Sequence, residues 1–316
     1  MKVVQIVNSI TGIIIQFFTY LKQTVAELCF NPDKRLKYFV YTPNNECADG
    51  GTSHYRVNKF ESGKSFSNVF FPEKADIVKR LDFFSQNKDW YKKRGIPYTM
   101  GFLFHGAPGC GKTSTIKAIA NHTQRHIVSI PLDKMKTAKE LLNVFDNDRM
   151  NNKDIPLNQR LYVLEDIDVV GGKTEKEEEK LTLSTLLEVL DGVVEMDGRM
   201  LIMTTNYPER LDKNLIRPGR IDMKVKFGLC MADNIVQMYQ HYFETELPTS
   251  FDRSRLKDDV YSPAEVTQVF LNNMHKPEEG LEQLASQTAT NIRLQGENCP
   301  FSSAPSSPDR QHAKNE

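Results

Sequence analysis

Apolar positions along this chain change rhythm several times, and the changes divide it into segments. Residues 3–21 read VVQIVNSITGIIIQFFTYL without a charge. As a helix they would extend about 28 Å, close to the thickness of a bilayer's hydrocarbon core. Gln5, Asn8, Ser9, Gly12, Gln16 and Thr19 recur at helical intervals and fall on one face. Two readings stay open: a spanning helix whose uncharged stripe meets sister helices, or an amphipathic helix whose apolar face is buried in a core. If the segment spans, Lys22, Lys34, Arg35 and Lys37 outnumber Lys2 and put the body of the protein on the positive side. A single basic residue ahead of the run and no clear small-residue cleavage site argue against a cleaved secretory signal.

From Asn31 to about Ser67 the text is turn-rich, at Thr42–Asn45 and Asp49–Thr52, with short alternations such as Tyr38–Tyr41. It reads as a small strand-containing module or linker. Between Val69 and Phe270 strand and helix patterns alternate, which predicts an α/β layer with a largely parallel sheet. Beyond about Lys276 hydrophobic residues thin out, and Pro300–Glu316 has almost nothing to bury, so a disordered tail is expected.

Composition narrows the chemistry. Lys plus Arg and Asp plus Glu each number 41 among 316 residues, so no global field draws nucleic acid or acidic membranes. Five scattered cysteines without a C-x-x-C pair fit a reducing compartment. His122 and His126 have a spacing that could hold a metal on a helix, but no carboxylate or further histidine stands nearby in sequence, and the pair is read as structural.

The sharpest signal is Gly106-Ala107-Pro108-Gly109-Cys110-Gly111-Lys112-Thr113, between the apolar stretch Met100–Phe104 and the helical run Ser114–Asn121. Strand, glycine loop, helix is the context of a phosphate-binding loop. Backbone N–H groups, Ser114 included, converge on phosphates at the helix N-terminus, Lys112 reaches the β and γ phosphates, and the Thr113 hydroxyl ligates Mg²⁺. ATP with Mg²⁺ is the implied ligand pair.

Arg160–Leu164 is a buried-strand pattern that runs into Glu165-Asp166-Ile167-Asp168. In a parallel sheet such acids face a ligand at the strands' carboxyl ends; one must hold Mg²⁺ and another must orient or deprotonate the attacking water. Met200–Met203 ends in Thr204-Thr205-Asn206, which brings an amide to the same edge, able to position that water. Arg217 and Arg220 lie in a turn sharpened by Pro218 and Gly219, and arginine supplied to a γ-phosphate by another subunit accelerates hydrolysis.

Together these stretches resemble the AAA ATPases, and more closely the Bcs type, mitochondrial inner-membrane chaperones that assist assembly of the cytochrome bc complex. The resemblance covers about Val69 to Phe270 and is most specific at Trp90–Tyr98, Leu181–Gly192, Met203–Asn206 and Ile216–Asp222, with Ser262–Val266 similar to the start of the family's lid helix. It implies a P-loop AAA ATPase domain with a five-stranded parallel sheet and a small helical lid. It also implies a ring of identical subunits, seven in the Bcs type, in which Arg217 and Arg220 reach the neighbour's nucleotide. The order Glu165 then Asp166 is that of the Bcs type; it gives Glu165 the Mg²⁺ role and Asp166 the water-activating role, with Asn206, Arg217 and Arg220 completing the catalytic set.

The organisation expected is an apolar helix and candidate membrane anchor over 1–30, a short module over 31–67, the ATPase core over 68–230, a lid over 231–275 and a tail over 276–316. The function implied is remodelling or translocation of a protein client at the mitochondrial inner membrane, a cytoplasmic location being the alternative. Two departures bear on the client. The module ahead of the core is shorter than in Bcs-type proteins, and Pro131–Lys136, where many AAA rings place an aromatic pore residue, offers only Met135. A nucleic-acid motor or clamp loader would share the nucleotide chemistry but lacks support from charge. Asn151-Asn-Lys-Asp154 lacks the spacer of N-K-x-D, which argues against a guanine-reading site.

Overall fold

The computed structural model describes residues 35–42, 55–135, 137–146, 149–150, 153–168, 186–187, 190, 196–217 and 219–286. Strands β1 (Lys37–Tyr41) and β2 (Tyr55–Lys59) lead into helices α1 (Lys74–Gln86) and α2 (Lys88–Lys93). Next come β3 (Met100–Gly106), α3 (Lys112–Thr123), β4 (His126–Ser129) and α4 (Ala138–Asp146). A two-residue ribbon, β5 (Arg149–Met150) against β6 (Lys153–Asp154), precedes β7 (Arg160–Leu164), β8 (Met200–Thr205) and β9 (Met223–Phe227). Helices α5 (Ala232–Phe243), α6 (Pro263–Asn272) and α7 (Pro277–Ser286) complete the described chain.

The main sheet has the order β2-β1-β4-β7-β8-β3-β9. Its centre, β4 to β9, is the expected set of five parallel strands. The sheet is wider than five, because β1 adds parallel to β4, with Tyr38 opposite Ile127, and β2 pairs antiparallel on the outer edge. The strands of the short module therefore extend the core sheet.

Side chains alternate across the sheet with the period of two that a strand imposes. Leu161 and Val163 of β7 join Phe102, Phe104 and Ile202 on one face, where α1 contributes Ile77, Leu81 and Phe84 and α3 contributes Ile116 and Ile119. Tyr162 and Leu164 face the opposite way, with Leu103, Leu201 and Met203, against Leu141, Val144 and Phe145 of α4. With both faces covered, β7 and β8 are buried at every position, which is why they read as unbroken apolar runs.

The strand-entry end of the sheet is closed by buried arginines that donate to carbonyls and a phenol. Arg125 donates to the carbonyls of Arg160 at 3.1 Å and Gly198 at 2.7 Å. Arg160 donates to the Ile155 carbonyl at 2.7 Å and the Tyr162 hydroxyl at 2.9 Å. Burial pushes the Arg125 guanidinium down to about 10. His122 and His126 have separate partners: His122 Nε2 meets Asp82 at 2.7 Å, and His126 Nδ1 accepts the Lys37 N–H at 3.0 Å.

The lid is a separate cluster in which Ile235, Met238 and Tyr239 of α5 pack with Val266, Val269 and Phe270 of α6. Helix α6 starts at a capping box: Ser262 Oγ accepts from the Glu265 N–H and the Glu265 carboxylate accepts from the Ser262 N–H, with Pro263 in the first turn. Residues 277–286, which composition assigned to the tail, form α7 instead. Leu281 and Leu284 are enough because they close an existing cluster, and the Tyr261 hydroxyl donates to the Leu284 carbonyl at 3.0 Å. Among the described residues no helix is long and apolar enough to cross a membrane; the stretch 3–21 and most of Leu181–Gly192 lie outside them.

The first residues of β3 meet the turn that carries the arginines. Asp222 N–H donates to the Gly101 carbonyl and Gly101 N–H to the Asp222 carboxylate, each at 2.8 Å. A Cβ on Gly101 would collide with the Arg220 carbonyl, whereas one on Gly228 would meet nothing within 4 Å. Gly101→Ala is expected to cost about 1–3 kcal/mol and Gly228→Ala almost nothing, read from denaturant unfolding; equal effects would contradict this packing.

Candidate nucleotide site

The site begins where β3 runs out. Gly106 lies opposite Phe227 of β9, and a Cβ there would strike the Phe227 carbonyl. Its φ of 130° is a second reason for glycine, and Gly109 (78°) and Gly111 (102°) share the positive range. The left-handed Gly111 is the N-cap of α3, so the loop folds back and aims the helix N-terminus into the space above the sheet.

That space is a cavity of about 650 Å³, lined by Pro108 to Ser114 from the loop and by Glu165, Asp166 and Asn206 from the ends of β7 and β8. The size suits a mononucleotide. Lys112 Nζ donates to the carbonyls of Gly106 (2.6 Å) and Ala107 (3.0 Å) and to Asn206 Oδ1 (2.7 Å). Three acceptors match the three donors of an ammonium. Burial holds the Lys112 pKa below the ordinary lysine value, while Asp166 pulls it upward.

Asn206 Nδ2 in turn points to Asp166 Oδ1 at 3.4 Å. A polar line therefore runs from Lys112 through Asn206 to Asp166, across residues 94 and 40 positions apart. Asp166 has a φ of 50°, unusual for a residue with a side chain, and its N–H is held by Thr204 Oγ1 at 3.2 Å. Asp168 is drawn away, its carboxylate accepting from the Thr205 hydroxyl at 2.6 Å. Of the three acids in this turn, Glu165 and Asp166 line the cavity.

Glu165 is exposed on the cavity wall. Even so, the surrounding protein pushes its carboxyl pKa up, the Asp166 carboxylate adds to the rise, and Lys117 opposes it. Two neighbouring carboxylates in such a setting are relieved by a divalent cation. The Thr113 hydroxyl and the Glu165 carboxylate, both on the cavity wall, are oxygen donors of the kind Mg²⁺ takes. Among the described residues no group of three or more His, Cys, Asp or Glu forms a metal cage, and Mg²⁺ held on substrate phosphates needs none.

Arg217 and Arg220 are elsewhere. Arg217 is exposed, and the Arg220 guanidinium donates to the Asn214 carbonyl. Their turn abuts Gly101 at the start of β3, whereas the phosphate loop leaves its other end. Five residue steps, from Gly101 to Gly106, put those points about 16 Å apart, beyond an arginine's reach. Met135, the bulky apolar group of Pro131–Lys136, is buried in the core.

Another part of the cavity wall escaped the motif reading. It consists of Lys64 and Asn68–Phe71 ahead of α1, with Met238, Tyr242, Thr267 and Gln268 of the lid. The capping-box sequence at Ser262 announced a lid helix, but no spacing rule ties residues 64–71 to a loop some forty positions later.

The description "ATPase family associated with various cellular activities (AAA)" matches residues 102–229. The mitochondrial chaperone BCS1 of Bos taurus is 35% identical over 224 residues, 66% of this chain and 52% of the relative. Its Homo sapiens counterpart is 34% identical over 215 residues, 64% of this chain and 49% of the relative. The probable mitochondrial chaperone BCS1-A of Dictyostelium discoideum is 31% identical over 262 residues, 77% of this chain and 60% of the relative. The chain thus spans about half to three-fifths of the length of these relatives. With a phosphate loop, paired acids and a terminal asparagine on adjacent parallel strands and this kinship, the chain belongs to the AAA ATPases, in their Bcs branch.

Proposed function

We propose that this chain hydrolyses ATP with Mg²⁺ in a ring of identical subunits, seven by the pattern of its family, and uses the cycle to remodel or translocate a protein client. The observation that carries the reading is the line Lys112–Asn206–Asp166, which ties a phosphate-binding cation to a candidate base through one amide. On nucleotide binding the Lys112 ammonium exchanges Asn206 Oδ1 for β and γ phosphate oxygens. Asn206, released, orients a water beside Asp166, whose carboxylate takes its proton. Thr113 and Glu165 would hold Mg²⁺, which neutralises charge on the β and γ phosphates. The water oxygen bonds to the γ-phosphorus as the bond to the β–γ bridging oxygen breaks, and the loop's N–H groups and the α3 terminus stabilise the charge on the departing ADP.

The relatives named as mitochondrial chaperones support a protein client and a mitochondrial location; the inner membrane, with residues 3–21 as anchor, is the place that the resemblance to the Bcs type implies. Burial of Met135 means that a client is not gripped by that side chain. Balanced charge, 41 of each sign, speaks against a nucleic-acid client.

Asp166→Asn is expected to bind ATP close to normally but to turn it over at least about 100-fold more slowly, while Glu165→Gln mainly weakens the Mg²⁺ dependence of binding. Retention of full Mg²⁺ dependence in Glu165→Gln, with its loss in Asp166→Asn, would exchange the two roles.

Because the arginine turn lies at the far end of β3 from its own phosphate loop, Arg217 and Arg220 are expected to act on a neighbour, an effect worth orders of magnitude in rate. Two inactive proteins, Lys112→Ala and Arg217→Ala/Arg220→Ala, should regain ATPase activity on mixing. No recovery, together with a specific activity independent of protein concentration, would sink the trans assignment.

A further inference from the structure

Among the described residues, four charged side chains line the cavity: Lys64, Lys112, Glu165 and Asp166. The proposed mechanism uses three of them, all at the γ-phosphate end. Lys64 has no role in it, yet its backbone is held with care.

Asn121 of α3 donates through Nδ2 to the carbonyls of Ser62 at 2.8 Å and Lys64 at 2.7 Å. Asn68 closes the same loop from the other side, accepting the Ser65 N–H at 2.9 Å and donating to the Gly63 carbonyl at 2.7 Å. The Lys64 side chain makes none of these bonds and has no ion-pair partner among the described residues. Asn121 stands seven residues from Ser114 on one face of α3, about 10 Å along the axis. A lysine anchored beside Asn121 reaches back about 6 Å along that face. Lys64 and Ser114 line the same cavity, and that reach brings the ammonium toward Ser114 and the base of the loop, short of the position that Lys112 occupies. The nucleotide parts within range are the α-phosphate and ribose, common to ATP and ADP.

We propose that Lys64 is a second nucleotide-binding cation, fixed by the Asn121-held loop so that its ammonium meets the α-phosphate and ribose. The assignment rests on the ATP-site reading above. It answers an electrostatic need, since a polyphosphate shares the cavity with two carboxylates and, among the described residues, Lys112 is the only other cation on its wall. A ligand bound through Lys64 also ties the segment ahead of α1 to the phosphate loop in both nucleotide states.

The test is calorimetric titration of ATP and ADP into the full chain as wild type, Lys64→Met and Lys64→Arg, with steady-state turnover beside it. Lys64→Met keeps the aliphatic stem and removes the charge, and the loop's hydrogen bonds come from backbone and Asn side chains, so folding is preserved; matching thermal melts check this. The expected result is a loss of about threefold to tenfold for ATP and ADP alike. KM should rise with kcat unchanged, and Lys64→Arg should restore most of the affinity. Unchanged affinities in Lys64→Met, or a loss confined to ATP, would overturn the assignment. A wild type that binds neither nucleotide would instead sink the ATP-site reading itself.

Discussion

Everything at the site depends on where one ammonium group is held. Lys112 Nζ is shared by the Gly106 and Ala107 carbonyls and by Asn206 Oδ1, so the end of β3, the start of α3 and the end of β8 must stand in one fixed relation. The requirement propagates outward. Glycine is needed at 106 because β9 lies too close for a Cβ, and at 111 because the chain enters α3 from the left-handed region. Thr204 holds the Asp166 N–H in a strained backbone position, which keeps the carboxylate beside the same asparagine. A shift of one strand would break several of these bonds together, and the buried side chains of β7 and β8 on both faces make such a shift costly.

The two ends of β3 do different work. Its exit forms the phosphate loop, and its entry, through Gly101 and Asp222, pins the arginine turn. One rigid strand therefore fixes the distance between a nucleotide and the arginines of the same subunit, and that distance is too long for contact. The proposed ring would answer this geometry by bringing one subunit's arginine turn toward another's phosphate loop. The lid contributes a third surface: the capping box at Ser262 sets the start of α6, where Pro263 and Ala264 line the cavity.

Local features were legible in the sequence, and long-range ones were not. The phosphate loop showed itself because its glycines, lysine and threonine must be adjacent in the chain. Strands β7 and β8 showed themselves because burial on both faces leaves an apolar run that ends abruptly in acids or an amide. Pairing of Tyr38 with Ile127, 89 positions apart, has no local signature, so β1 and β2 read as a separate module. Helix α7 was hidden because its buried set is small and its core belongs to α5 and α6. Asp168 looked like a third site acid, and only the fold reveals that Thr205 claims it.

The most direct test of the central claim is a calorimetric titration of Lys112→Ala with ATP and Mg²⁺, its fold checked by circular dichroism. Removal of the cation that links the loop to Asn206 should leave ATP affinity weaker by at least about 100-fold. ATP affinity equal to that of the wild type would contradict the account, because the nucleotide would then be held without the group on which the arrangement converges.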